Sequence, residues 1–289
     1  MTRATRNLLV RLGLCFLTSC VFLLPLATFT PTARADSHSQ IRVLSSALRK
    51  RIADAKIKSL AVADFAPVGG ASSGEGLYFA DILHLYLAES PKKYDLIARE
   101  AAGHFLETRK LVLRDLESAE VLKQSADSLH VEALLTGSVA REAQQLILTA
   151  SLKRSADGSV IASEKILIPS DSFFDSLRTY PLAETPVSIS QLTDRGVRPP
   201  EFLDVPAPQF RGPADGTMGV RGDAAILLNL VVSAEGRVTN LKVVKGAGPE
   251  FADVAWCAMR AFRFRPALDR TGKPVAVVMP MQVFFSATR

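Results

Sequence analysis

The last seventy or so residues constrain the fold more than any other part of this 289-residue chain. Ile226 to Ser233 and Val238 to Lys245 are strand-like runs on either side of Ala234-Glu235-Gly236-Arg237. Glycine in that turn permits a positive φ, so the segment predicts a hairpin. Phe251 to Phe262 has helical spacing, with Phe251, Ala255, Ala258 and Phe262 on one face. Phe262-Arg263-Phe264-Arg265-Pro266 comes next, with two rings to close a core at the helix end and a proline to stop the helix. Gly272-Lys273-Pro274 then turns the chain into a final strand, Val275 to Phe285, interrupted by Pro280. Proline cannot donate to a ladder and is tolerated on edge strands or at bulges, so this strand is expected at a sheet edge.

Hairpin, helix, aromatic–proline exit and final strand together resemble the C-terminal domain of TonB-type energy transducers, over residues 210–289. The resemblance implies a periplasmic module that grips an extended segment of a partner protein and does no covalent chemistry. The implied partner is an outer-membrane transporter, with an inner-membrane motor behind it. Partner contact is then expected on the edge strand, at Val275, Val277, Met279, Met281, Gln282, Val283 and Phe285. Either Gln282 to Phe285 or Val275 to Met279 would pair with the partner, because unpaired edge N–H and C=O groups accept an added strand. Trp256 falls off the expected core face of the helix. It either packs on the proline-rich stretch 171–217 or the hairpin edge, or serves as an interface anchor. Two features depart from the family pattern. Gln209-Phe210-Arg211-Gly212 stands where a Tyr-Pro pair is usual, and the N-terminal apolar stretch has Thr18 and Ser19 but no histidine for motor coupling. The alternative is a periplasmic structural or assembly adaptor without a motor.

Arg3, Arg6 and Arg11 precede an apolar stretch of 18 residues, Leu12 to Phe29. Ala33 and Ala35 come after it as small residues, and polar sequence begins at Asp36. This reads as a secretory signal cleaved after Ala35, or as an uncleaved inner-membrane anchor of spanning length. Leu17-Thr18-Ser19-Cys20 resembles a lipobox and would imply acylation at Cys20. The whole chain carries +6, but residues 1–35 hold four of the 35 basic residues and no acids. Residues 36–289 hold 31 basic against 29 acidic residues, a net +2, which lacks the basic footprint of a nucleic-acid binder. Cleavage would leave Cys257 as the only cysteine, unable to form an internal disulfide.

Residues 36–170 read as one α/β domain. Ile41, Leu44, Leu48 and Ile52 recur at helical steps. Leu60-Ala61-Val62-Ala63-Asp64-Phe65, Tyr94 to Arg99 and Leu134 to Val139 read as strands, with helices at Leu77 to Glu89 and from Glu100 to Leu129. Two further strands, Gln145 to Lys153 and Ser159 to Ile168, meet across Asp157-Gly158, a pair that tolerates positive φ. Residues 56–170 are similar to envelope proteins that include the curli-secretion lipoprotein CsgG, FlgO and outer-membrane activators of peptidoglycan synthases. That likeness implies a binding or assembly domain. Residues 171–217 contain Pro181, Pro186, Pro199, Pro200, Pro206, Pro208 and Pro213. They read as a linker that either spans on the order of 150 Å when extended or wraps the domains. The expected fold class is α+β, with an α/β domain at 36–170 and a TonB-like domain of antiparallel sheet and helix at 218–289. His38, His84, His104 and His130 are scattered, and no nucleophile–base pair or metal-ligand spacing emerges. No cofactor is expected.

Overall fold

The computed structural model describes residues 32–68, 73–89, 93–180, 182, 187–188, 196, 198–204, 224–246 and 248–285. The apolar stretch 12–29 and Gln209-Phe210-Arg211-Gly212 lie outside them. Every element of the fold described here lies within residues 31–289, which form one compact unit. No helix among the described residues is long and apolar enough to cross a membrane.

α1 (Thr32–Asp54) buries the expected stripe, with Ile41, Leu44, Leu48 and Ile52 each no more than 1% exposed. It starts earlier than its hydrophobic pattern, so Ala33, Ala35 and Asp36 fall in its first turns. β1 (Ser59–Val62) pairs in parallel with β3 (Asp95–Leu96) and β4 (Ala133–Glu142), and β2 (Ala66–Pro67) also pairs in parallel with β4. β4, β5 (Gln145–Arg154) and β6 (Val160–Pro169) then run antiparallel. The mixed order β3-β1-β4-β5-β6 has α1 packed against β6 and against α2 (Gly74–Ala88). α2 is buried all round except at its last residue, Ala88, which marks it as the central element of the molecule.

The helical run from Glu100 is broken. α3 (Arg99–Arg109) ends at Lys110, which adopts a left-handed φ of 56°, and a 3-10 turn (Leu113–Glu117) precedes α4 (Ala119–Leu129). No glycine or proline announces this stop. The break lets Phe105, Leu116 and Leu122 fold back over Ala61, Ala63 and Leu134 in a small second core. At the Asp157-Gly158 turn only Gly158 has positive φ, 75°, and its N–H donates to the Arg154 carbonyl at 2.9 Å. The connection from Arg154 to Val160 is therefore longer than the two-residue turn that the pair suggests.

The described parts of 171–217 include short elements that pack or pair with the rest. α5 (Ser172–Arg178) is capped by Asp171 and buries Phe173, Phe174 and Leu177. β7 (Val187–Ser188) and β8 (Glu201–Asp204) pair with strands of the C-terminal half. That half holds β9 (Ala224–Val232), β10 (Val238–Lys245), α6 (Pro249–Met259), β11 (Arg263–Arg265), β12 (Ala267–Leu268), β13 (Pro274–Val275) and β14 (Val277–Phe285). Its main sheet runs β10-β9-β14-β7. Gly236 turns the hairpin with φ 74°, and a Cβ there would lie 1.9 Å from the Phe264 carbonyl oxygen. Phe264 is 2% exposed, as the aromatic–proline exit predicts. The fold class is α+β. One continuous apolar cluster extends from α1 and α2 to β9, β10 and α6, so the two halves share a core.

Candidate functional site: the outer edge of β14 and the junction behind it

β14 pairs along its whole length with β9, from Val277 opposite Val232 to Phe285 opposite Ala224. On its other side, the described residues pair with it only where β7 meets Val277 and Val278. From Met279 to Phe285 that side is open among the described residues. Pro280 sits opposite Asn229 and is exposed. Val277, Met279, Met281, Val283 and Phe285 face the core, with the two ends buried and the middle three half-buried. Gln282 and Phe284 point outward, and Phe284 is 69% exposed. Of the segment Val275 to Met279, Val275 belongs to β13, opposite Ala267, and Val277 is already covered by β7. Among the described residues, Met279 to Phe285 is therefore the part of β14 that offers backbone groups to a further strand.

At the opposite edge of the same sheet, α2 and α3 pack against β10. The Val243 N–H of β10 donates to Asp81 Oδ2 of α2 at 3.1 Å. Trp256 Nε1–H donates to the same oxygen at 2.9 Å. Trp256 is fully buried, so it is not a surface anchor for another protein. Its ring lies edge-on to Tyr78 and Tyr180, with centroids 5.9 and 5.7 Å away. α6 buries two faces rather than one, Phe251 and Ala255 on the sheet side and Ala252, Trp256 and Met259 as well, because it is sandwiched against α2. The Tyr78 hydroxyl donates to Asp253 Oδ1 at 3.0 Å, and Phe79, Phe173 and Phe174 extend the aromatic cluster.

Charges complete this junction. Arg99, fully buried, pairs with both Asp64 and Asp81. Lys242 of β10 reaches across to Asp64 Oδ2 at 2.9 Å. Burial raises the Asp64 pKa, but Lys242 and Arg99 outweigh it and hold the carboxyl below its ordinary value. Sequence reasoning missed Asp64, Asp81 and Arg99. An acid in an apolar helix, within Phe79-Ala80-Asp81-Ile82-Leu83, was the available signal, since a buried carboxylate requires partners.

Of the histidines, His38 Nδ1 lies 3.0 Å from the Tyr86 hydroxyl. His84 is buried on α2 and its Nδ1 lacks a hydrogen-bond partner. Burial lowers its pKa to about 4. The unfolded chain should titrate near 6.5 and the folded one near 4. Between those values the unfolded state binds the extra proton, so acidification destabilises the fold. The expected loss is about 3 kcal/mol on going from pH 7 to below pH 4, since each tenfold change in proton affinity is worth about 1.4 kcal/mol. Urea unfolding across this range should show the wild type losing stability relative to His84→Leu as pH falls. Below pH 3.8, protonation of Asp64 adds a further loss in both proteins. No group of metal-ligating side chains occurs among the described residues.

Residues 220–286 match the family described as Gram-negative bacterial TonB protein C-terminal. This segment is a TonB-like domain. The match points to a TonB-like protein of the Gram-negative cell envelope that works through protein–protein contacts. It spans the β9–β10 hairpin, α6 and β14, and so includes the open edge and one wall of the junction. Residues 56–170, whose sequence suggested CsgG and FlgO, stand outside it. Among solved structures the chain is similar to the LpoB C-terminal domain from Salmonella enterica, with 17% identity and a TM-score of 0.36, covering 46% of this chain and 98% of that one. It is also similar to lipoprotein GNA1162 from Neisseria meningitidis, with 14% identity and a TM-score of 0.31, covering 40% and 82%. A third is TolB from Acinetobacter baumannii, with 10% identity and a TM-score of 0.23, covering 80% and 39%. Likenesses this slight carry no argument about fold or function. A search of curated proteins finds no match to this chain.

Proposed function

We propose that this is a non-enzymatic, exported envelope protein whose TonB-like domain binds an extended segment of a protein partner along the outer edge of β14. The observation that carries the reading is the open stretch from Met279 to Phe285 on a strand otherwise fully paired with β9. Backbone groups there supply affinity, and the alternating side chains on either side supply selectivity. Pro280 contributes no N–H, so pairing is strongest from Met281 to Phe285. In the transducer form of this reading, the partner is an outer-membrane transporter and an inner-membrane motor drives the chain through an uncleaved anchor at residues 12–29.

The adaptor form has an observation of its own in its favour. The TonB-like domain is docked on α2 through buried aromatics and ion pairs, so its open edge is presented in a set pose. Export with cleavage after Ala35 suits this form. The intact mass of protein from membrane and periplasmic fractions separates cleaved, anchored and acylated chains.

Amide exchange of the full chain, with and without a peptide from a candidate transporter N-terminus, tests the binding edge. Slower exchange confined to residues 279–285 is expected. Protection elsewhere, with 279–285 unchanged, would remove the proposal.

A further inference from the structure

Asp64, Arg99 and Asp81 all belong to the first half of the molecule, and Arg99 pairs with both carboxylates. Two acids and one base leave this group with a net charge of −1. Among the described residues, the TonB-like half supplies Lys242 to it, at 2.9 Å from Asp64 Oδ2. We propose that Asp64, Arg99 and Asp81 form an anionic socket that selects Lys242, and that this charge fit locks the TonB-like half into one pose on α2 and α3.

Three local features are shaped to the lysine. Asn240 takes a left-handed φ of 47° in β10, and the pairing with β9 shifts register between Thr239 and Lys242. A bulge of this kind re-aims the next side chain. Gly103 sits inside α3, where glycine costs roughly 1 kcal/mol relative to alanine. A Cβ there would lie 3.1 Å from Lys242 Nζ, so its absence leaves room for the ammonium group. Asp81 then holds the neighbouring Val243 N–H and Trp256 Nε1–H with one oxygen. Socket and bulge thus fix the same two residues of β10.

The aromatic cluster around Tyr78 and Trp256 supplies apolar attraction, which is non-directional. A buried charge fit adds register, because a misplaced dock leaves the socket uncompensated.

The chain reports on this lock directly, since its single tryptophan lies at the junction. In full-length Lys242→Glu, Trp256 emission should shift to the red. Amide protection should fall in α2 and β10 and persist in the β9–β14 ladder. Emission and protection equal to wild type would overturn the proposal. A variant that unfolds outright is resolved by a double-mutant cycle with the milder Asp64→Asn and Lys242→Met. Coupling on the order of tenfold in the unfolding equilibrium is expected for a contacting charge pair. Additive effects of those two substitutions would equally overturn it. The outcome is independent of whether any peptide binds β14.

Discussion

Trp256→Ala should destabilise the folded chain by about 3–5 kcal/mol, the usual cost of truncating a fully buried aromatic side chain. The ring has no solvent exposure and meets Tyr78 and Tyr180 edge-on. Its loss also removes one donor from Asp81 Oδ2, leaving the Val243 N–H as that oxygen's partner. Trp256→Phe separates the two contributions. It keeps most of the buried area and loses the N–H, so a smaller loss of about 1–2 kcal/mol is expected. Urea unfolding followed by far-UV circular dichroism measures both. An Ala variant with the wild-type midpoint would mean that the junction does not hold α6 against α2.

Arg99→Ala should cost a similar amount, about 3–5 kcal/mol at pH 7, for a different reason. The guanidinium has no exposure, and it lies between Asp64 and Asp81. Removing it strands carboxylates in a site with little access to water. Lys242 still compensates Asp64, but Asp81 loses its ion pair. Without the guanidinium, burial favours the neutral form of the stranded carboxylates, so protonation relieves the strain. The deficit relative to wild type should therefore shrink as pH falls from 7 towards 4. A deficit independent of pH would show that the lost contribution is packing of the Arg99 stem rather than charge.

Much of the C-terminal half was legible because its signals are local. Gly236 demands a turn, Phe264 comes just after a helix end, and Pro280 is tolerated where a ladder is open on one side. Each depends on neighbours within a few residues, and Gly236 and Phe264 stand where expected. The α1 stripe was legible for the same reason, since Ile41, Leu44, Leu48 and Ile52 repeat with the helix. The break at Lys110 was not. A left-handed residue that is neither glycine nor asparagine carries no sequence mark, and the cost is offset by burying Leu116 and Leu122 against β1 and β4.

Trp256 shows the limit most clearly. Helical periodicity identifies the face that meets a helix's own sheet, and it left this ring outside that face. It could not say that α2 would cover it, because the contact joins residues 175 positions apart. The same holds for Asp64, Asp81, Arg99 and Lys242, whose charges lie far apart in the chain and acquire meaning only as neighbours. By itself the sequence determined the local elements, the α+β class and the TonB-like character of residues 220–286. Only the tertiary structure decided how far the β14 edge is covered by β7 and what packs against the β10 edge. Turn chemistry and side-chain periodicity act over one or two turns of backbone. Closing an edge depends on which distant groups share a low-dielectric space with it, and there a buried carboxylate must find its partners wherever the fold brings them.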